Sequence, residues 1–114
     1  MDVVSVNILK RFDVYLICLD PAVGTEIKKT RPCVIISPDE MNDMLKTVII
    51  APVTSTTRKY PTRVKSKIND RSSEIILDQI RSVDKIRLVK KIGKISSAST
   101  KQKICDILLE MFAL

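Results

Sequence analysis

Four apolar runs rich in valine and isoleucine, at residues 12–19, 32–37, 47–53 and 74–80, recur through the first eighty residues with turn-forming residues between them. Runs of that length and composition read as strands. A fifth strand is expected at 62–68, where Thr62, Val64 and Ser66 alternate with Arg63, Lys65 and Lys67, giving it one basic, solvent-facing side. These spacings, without crossover helices, point to an antiparallel sheet curled toward a small barrel. The segments Val14 to Leu19 and Cys33 to Ser37 are apolar on both faces and therefore belong in the core.

Helices come late. Residues 38–45 suit a short helical turn. Ser82 as a capping residue and Gly93 as a terminator predict a helix near 83–91. Beyond Ser97, Ser99 and Thr100, the residues Ile104, Ile107, Leu108 and Met111 fall at i, i+3, i+4 and i+7. That spacing predicts an amphipathic helix at about 100–112, packed on the barrel or on a second subunit.

The 114 residues are expected to form one domain over residues 1–114. A 45% hydrophobic and 29% charged composition excludes a disordered chain. No apolar run approaches the roughly 18 residues of a membrane span, and the acidic opening at Asp2 does not resemble a secretory signal. A cytoplasmic location is expected, with Cys18, Cys33 and Cys105 as buried, unpaired thiols. The net charge of +7 is lopsided: residues 1–57 hold six cations against seven acids, residues 58–114 fourteen against six. The segment 58–67 carries five cations, no acid and Tyr60. A charge run is often only a solvated surface, but this one also suits a polyanion such as nucleic acid.

The chain has no histidine, which removes imidazole acid–base catalysis and imidazole metal ligands, and no metal is expected. Two glycines cannot build a phosphate-cradling glycine-rich loop. What remains is carboxylates, hydroxyls and arginines acting on an anionic substrate. Arg31, at the end of the loop Lys28-Lys29-Thr30-Arg31-Pro32, is the best candidate, because a forked guanidinium suits a phosphate gaining charge. The third strand ends in a hydroxyl cluster from Thr54 to Thr57, where a threonine can donate to a phosphate oxygen. A structural ion pair of Arg31 with Glu26 or Asp20, and a non-catalytic Thr54, are the plain alternatives.

Several blocks together resemble the MazF/PemK family of bacterial toxins. They are Asp-Val-Tyr-Leu at 13–16, Asp-Pro-x-x-Gly-x-Glu at 20–26, Thr-Arg-Pro at 30–32, Ala-Pro-Val-Thr at 51–54 and Leu-Asp-Gln-Ile-Arg at 77–81. The resemblance runs from about residue 10 to the C-terminus. It implies a mainly β, SH3-like antiparallel barrel of the CcdB/PemK kind with appended helices, the last one C-terminal and amphipathic. It also implies a homodimer that cuts single-stranded RNA at short sequences without the ribosome, and a cognate antitoxin that inhibits it.

Matched position by position, the resemblance makes Arg31 and Thr54 catalytic and Asp78 a further candidate. Glu26 lies in a segment resembling the one that lines the RNA groove. Thr25, Lys28, Lys29, Thr30, Ser55, Arg58, Lys59, Tyr60, Gln79 and Arg81 are the implied RNA contacts, with Tyr60 stacking a base. The implied chemistry is cofactor-free attack of a ribose 2′-OH on the adjacent phosphorus, leaving a 2′,3′-cyclic phosphate and a 5′-OH; Glu26 or Asp78 are the candidate bases. One departure is Phe12, where the family commonly has glycine; a changed groove rim, a changed RNA preference or impaired activity are the expectations it raises. Two alternatives share the fold: a CcdB-like inhibitor of DNA gyrase, and an RNA-binding module without catalysis.

Overall fold

The computed structural model describes residues 8–19 and 30–114. Among the described residues, seven strands and two α-helices follow one another: β1 (Asp13–Cys18), β2 (Thr30–Ile35), α1 (Asp39–Met44), β3 (Thr47–Thr54), β4 (Arg63–Ile68), β5 (Arg71–Ile76), β6 (Arg81–Asp84), β7 (Leu88–Lys94) and α2 (Ala98–Phe112). Single 3₁₀ turns at Leu77–Gln79 and Lys85–Arg87 join the later strands. All strand pairs are antiparallel, in the order β4-β5-β3-β2-β1-β7. The eight-residue β3 lies against β2 on one edge, while its other edge is shared between β6 and β5.

Curling has identifiable causes. Two register irregularities between β1 and β7, at Val14/Tyr15 and Leu16/Ile17, increase the local twist. At the far edge, Asn69 and Asp70 take left-handed φ values of 51° and 64°, making the tight turn that joins β4 to β5. The Asn69 side-chain nitrogen then donates to the Ile92 carbonyl at 2.7 Å, tying this hairpin to β7 and bringing the two ends of the sheet together.

Alternation along the strands sends one set of side chains inward. Val14, Val34, Ala51, Val53, Val64, Ile75 and Leu77 form the interior with Ile104 of α2, and Ile107, Leu108 and Met111 pack against it. This is the helical face anticipated from the spacing, and Ser97 caps the helix by accepting from the Thr100 N–H. The opposite face of the sheet is apolar as well: Tyr15, Ile17, Cys33, Ile35, Val48 and Ile50 cluster with Val83 and Leu88. The expected double-sided burial of β1 and β2 follows from these two clusters.

Two expected elements differ. The helix near 83–91 is replaced by the end of β6, one 3₁₀ turn and the start of β7. Val83 and Leu88 are buried while Ile86 is 89% and Val89 59% exposed, so the apolar residues here do not share one helical face. Asp84, not Ser82, caps the turn by accepting from the Ile86 N–H. Gly93 ends no helix; it sits inside β7 where a Cβ would lie 3.2 Å from the Asn69 side-chain oxygen. The run at 74–80 is likewise split: β5 starts earlier, at Arg71, and stops at Ile76, because the chain must turn to feed β6. No disulfide joins the three cysteines; Cys33 is buried as expected, whereas Cys18 and Cys105 are half-buried. Among the described residues, no helix is long and apolar enough to cross a membrane.

Candidate active site

The register between β2 and β3 sets the site. Cys33 faces Pro52, and continuing that pairing two residues toward the strand ends puts Arg31 opposite Thr54. Thr54 in turn faces Glu74 of β5, and Glu74 faces Lys65 of β4. Directly opposed residues in antiparallel strands point to the same side of the sheet. The row Thr54, Glu74, Lys65 is therefore a consequence of pairing, and Arg31 lies two residues beyond the last β2–β3 pair, Cys33 with Pro52.

An open groove of about 330 Å³ has Arg31 and Thr54 in its walls, together with Thr30, Ser55, Arg71 and Ser72. Arg31 is exposed, and the ion pairs among the described residues, Arg63–Glu74 and Lys91–Asp13, do not involve it. Thr54 is half-buried, and its hydroxyl oxygen accepts the Thr56 N–H at 3.1 Å. With an acceptor lone pair used, the hydroxyl proton can point outward as a donor.

Behind this groove lies an anchor that the sequence reading did not single out. Glu74 is buried, accepts the Arg58 N–H at 3.1 Å, and is ion-paired to Arg63 at 3.1 Å. The same Arg63 nitrogen donates to the Thr56 carbonyl at 3.0 Å. Residues 55–58 are thus held at two points. Burial pushes the Glu74 carboxyl up, but the Arg58 N–H, the Arg63 hydrogen bond and charge, and Lys65 outweigh it and hold it below its usual range. The available sign in the sequence was a lone carboxylate leading into an apolar strand. Arg71 was also missed; the Asn69–Asp70 turn folds it back onto the groove, a consequence of turn chemistry rather than of any motif.

The other anticipated residues divide by position. Thr30 and Ser55 line the groove beside Arg31 and Thr54. Arg58, Lys59 and Tyr60 are exposed on the following loop, with the Tyr60 ring 5.5 Å from the Arg63 guanidinium. Arg63 therefore leaves the basic, solvent-facing side expected of β4, while Lys65 and Lys67 remain on it. Asp78 lies on the 3₁₀ turn and accepts from the Thr62 hydroxyl at 2.9 Å; neither it, Gln79 nor Arg81 lines the groove. Arg81 approaches from the β6 side. Burial raises the Cys33 thiol to about 12, and Arg31 and Arg81 both act on it in the opposite direction. Thr25, Glu26, Lys28 and Lys29, and Asp20 as a partner for Arg31, lie outside the described residues.

Phe12 does not touch the groove. Its N–H donates to the Ile35 carbonyl, four residues along β2 from Arg31, or about 13 Å. Its φ of 72° is the left-handed conformation in which glycine is ordinarily at ease. The ring packs on the core beneath the Arg11 guanidinium at 5.0 Å and the Lys101 ammonium at 5.6 Å. The expectation of a reshaped rim gives way to a local backbone cost at the opposite end of β1.

A curled barrel that sets an exposed guanidinium and a hydroxyl in the walls of one open, cationic groove fits a protein that handles a phosphodiester chain. Residues 10–112 match the family of PemK-like, MazF-like toxins of type II toxin–antitoxin systems. The chain belongs to that family. A curated relative from Staphylococcus saprophyticus, named endoribonuclease MazF, is 42% identical over 100 residues, covering 82% of this chain and 83% of its own. Solved structures share the fold. MazF from Deinococcus radiodurans superposes with a TM-score of 0.75 at 21% identity, covering 93% of this chain and 97% of its own. A mycobacterial endoribonuclease in complex with its cognate antitoxin gives 0.75 at 24%, covering 93% and 96%.

Proposed function

We propose that this chain, an endoribonuclease of its family, cuts single-stranded RNA by attack of a ribose 2′-OH on the neighbouring phosphorus. The observation that carries the reading is the presence of Arg31 and Thr54 in the walls of one groove open to solvent. A scissile phosphate between them meets a fixed cation and an oriented hydroxyl donor. As the phosphorus becomes five-coordinate, negative charge grows on its non-bridging oxygens. Both groups then bind it more strongly than the ground state, which is the condition for acceleration. The P–O5′ bond breaks as the leaving 5′-oxygen takes up a proton from water, giving a 2′,3′-cyclic phosphate and a 5′-OH. Glu26 and Asp78 are the candidate acceptors of the 2′-OH proton; Asp78 accepts from the Thr62 hydroxyl and does not line the groove. Arginine is unsuited to that task because it does not deprotonate in proteins.

The same reading gives the protein a cognate antitoxin as its inhibitor, a cytoplasmic location and a homodimeric form. The exposed apolar side chains of Leu109 and Phe112 on α2 offer surface for self-association.

Purified protein incubated with long RNA in EDTA, followed by sequencing of the fragment 5′ ends, tests the activity and yields the cleavage sequence. Defined fragments bearing 5′-OH ends are expected, and intact RNA excludes the reading. Arg31→Ala is expected to lower the cleavage rate at least about a hundredfold, the cost typical of losing one oxyanion-stabilising donor, with an unchanged circular dichroism spectrum.

A further inference from the structure

Ser55, Ser72 and Ser73 line both the Arg31–Thr54 groove and a larger furrow of about 460 Å³. The two therefore adjoin along these serines. The larger one runs over β4 and β5, with Lys65 and Lys67 along its floor and Thr57 from the loop on its wall. Every residue lining it is polar, so it suits neither an apolar ligand nor an unstacked base seeking an aromatic platform. Hydroxyls and ammonium groups together are the side chains that hold a sugar–phosphate backbone.

Resting on the ribonuclease reading of the neighbouring groove, we infer that this furrow is a second RNA subsite, in which Lys65 and Lys67 hold two successive phosphates on one side of the scissile bond. Pairing of Lys65 with Glu74 and of Lys67 with Ser72 puts both lysines on the face that carries Thr54. From Thr54 across β5 to Lys65 is two strand spacings, about 10 Å, and from Lys65 to Lys67 is about 7 Å. The second distance is close to the separation of successive phosphates in an extended strand. The first carries the chain roughly two nucleotides past the cut. Glu74, the one acid in the furrow, does not repel the chain as a free carboxylate would. Arg63 and the Arg58 N–H already compensate it.

The test uses the full-length protein and a short, mixed-sequence 2′-O-methyl RNA, which cannot supply an attacking 2′-OH. Its binding is followed by fluorescence anisotropy across a salt series. Each phosphate neutralised on a single strand contributes about 0.7 to the slope of log K against log salt. Replacing both lysines, Lys65→Gln with Lys67→Gln, is expected to reduce that slope by about 1.4 and to weaken binding roughly 25-fold at 0.1 M salt. The control pair Lys90→Gln with Lys103→Gln, exposed on β7 and α2, removes the same charge elsewhere and is expected to keep the wild-type slope. A slope unchanged in the Lys65/Lys67 variant, or lowered equally by the control, overturns the subsite. Cleavage of unmodified RNA by the wild type is measured alongside. If the wild type cuts while the slope stays put, only the subsite falls; if the wild type does not cut, the reading beneath it falls as well.

Discussion

Thr54 has a hydroxyl whose oxygen accepts the Thr56 N–H, which leaves its proton available to donate into the groove. Thr54→Val keeps the shape and removes the donor. Cleavage is expected to fall about a hundredfold to a thousandfold with little change in melting temperature, as read from single-turnover kinetics and calorimetry on the same sample. Loss of stability matching the loss of rate would mean that the hydroxyl serves the fold instead. Phe12 poses the opposite case, a residue whose cost is purely conformational. At φ 72° a side chain strains the backbone, while the ring gains packing on the core. Phe12→Gly and Phe12→Ala both lose the ring, but only glycine escapes the strain. The glycine variant is therefore expected to be more stable than the alanine variant by about 1–2 kcal/mol in urea unfolding, reversing the usual order. Equal stabilities would show that the left-handed conformation is not costly here.

At the scale of elements, the segment after β3 is positioned by the strand behind it. Glu74 receives Arg58 and Arg63, and Arg63 holds the Thr56 carbonyl, so the hydroxyls and cations of this loop move with β5. Glu74→Gln keeps an acceptor for the N–H of Arg58 but leaves the Arg63 guanidinium without its counter-charge. A lower melting temperature and weaker RNA binding are expected together. The pH response is specific. Because the native carboxyl sits below its ordinary value, its stabilisation is complete above the unfolded pKa of about 4.3 and is lost as pH falls through the lower native value. The wild type should therefore lose stability on that acid limb more steeply than Glu74→Gln, and superimposable acid limbs would remove Glu74 from the anchor. This anchor also shows where sequence reading reaches its limit. Strands β1, β3 and β4 and the helix α2 were legible because burial imposes a period of two or of 3.6 on local residues. The pairing of Thr54 with Glu74 depends on register across twenty residues, and no local period encodes it. The stretch 83–91 misled for a related reason: a capping serine and a later glycine describe a helix only when tertiary pairing does not compete, and here β3 and β1 claim those residues.

For the molecule as a whole, the groove is only as fixed as the closure of the barrel. The hairpin of β4 and β5 carries Arg71, Ser72, Lys65 and Lys67, and its tip is fastened to β7 through Asn69. Asn69 performs two separable tasks. It accepts a left-handed φ of 51°, which asparagine and glycine tolerate better than alanine, and it donates to the Ile92 carbonyl. Asn69→Gly keeps the turn and loses the bond, with an expected cost of about 1 kcal/mol. Asn69→Ala loses both, with about 1–2 kcal/mol more from the strained turn. Stability in urea should thus fall in the order wild type, glycine variant, alanine variant. Hydrogen exchange should rise first in β4 and β5 rather than in β2, which pairs with β1 and β3. The functional consequence separates two parts of one surface. A loosened hairpin should raise the KM for long RNA through the lysines it carries, while kcat, which the proposed mechanism assigns to the Arg31 and Thr54 pair, changes less. A fall in kcat as large as the rise in KM would mean that the closure of the barrel also holds the chemical groups in place.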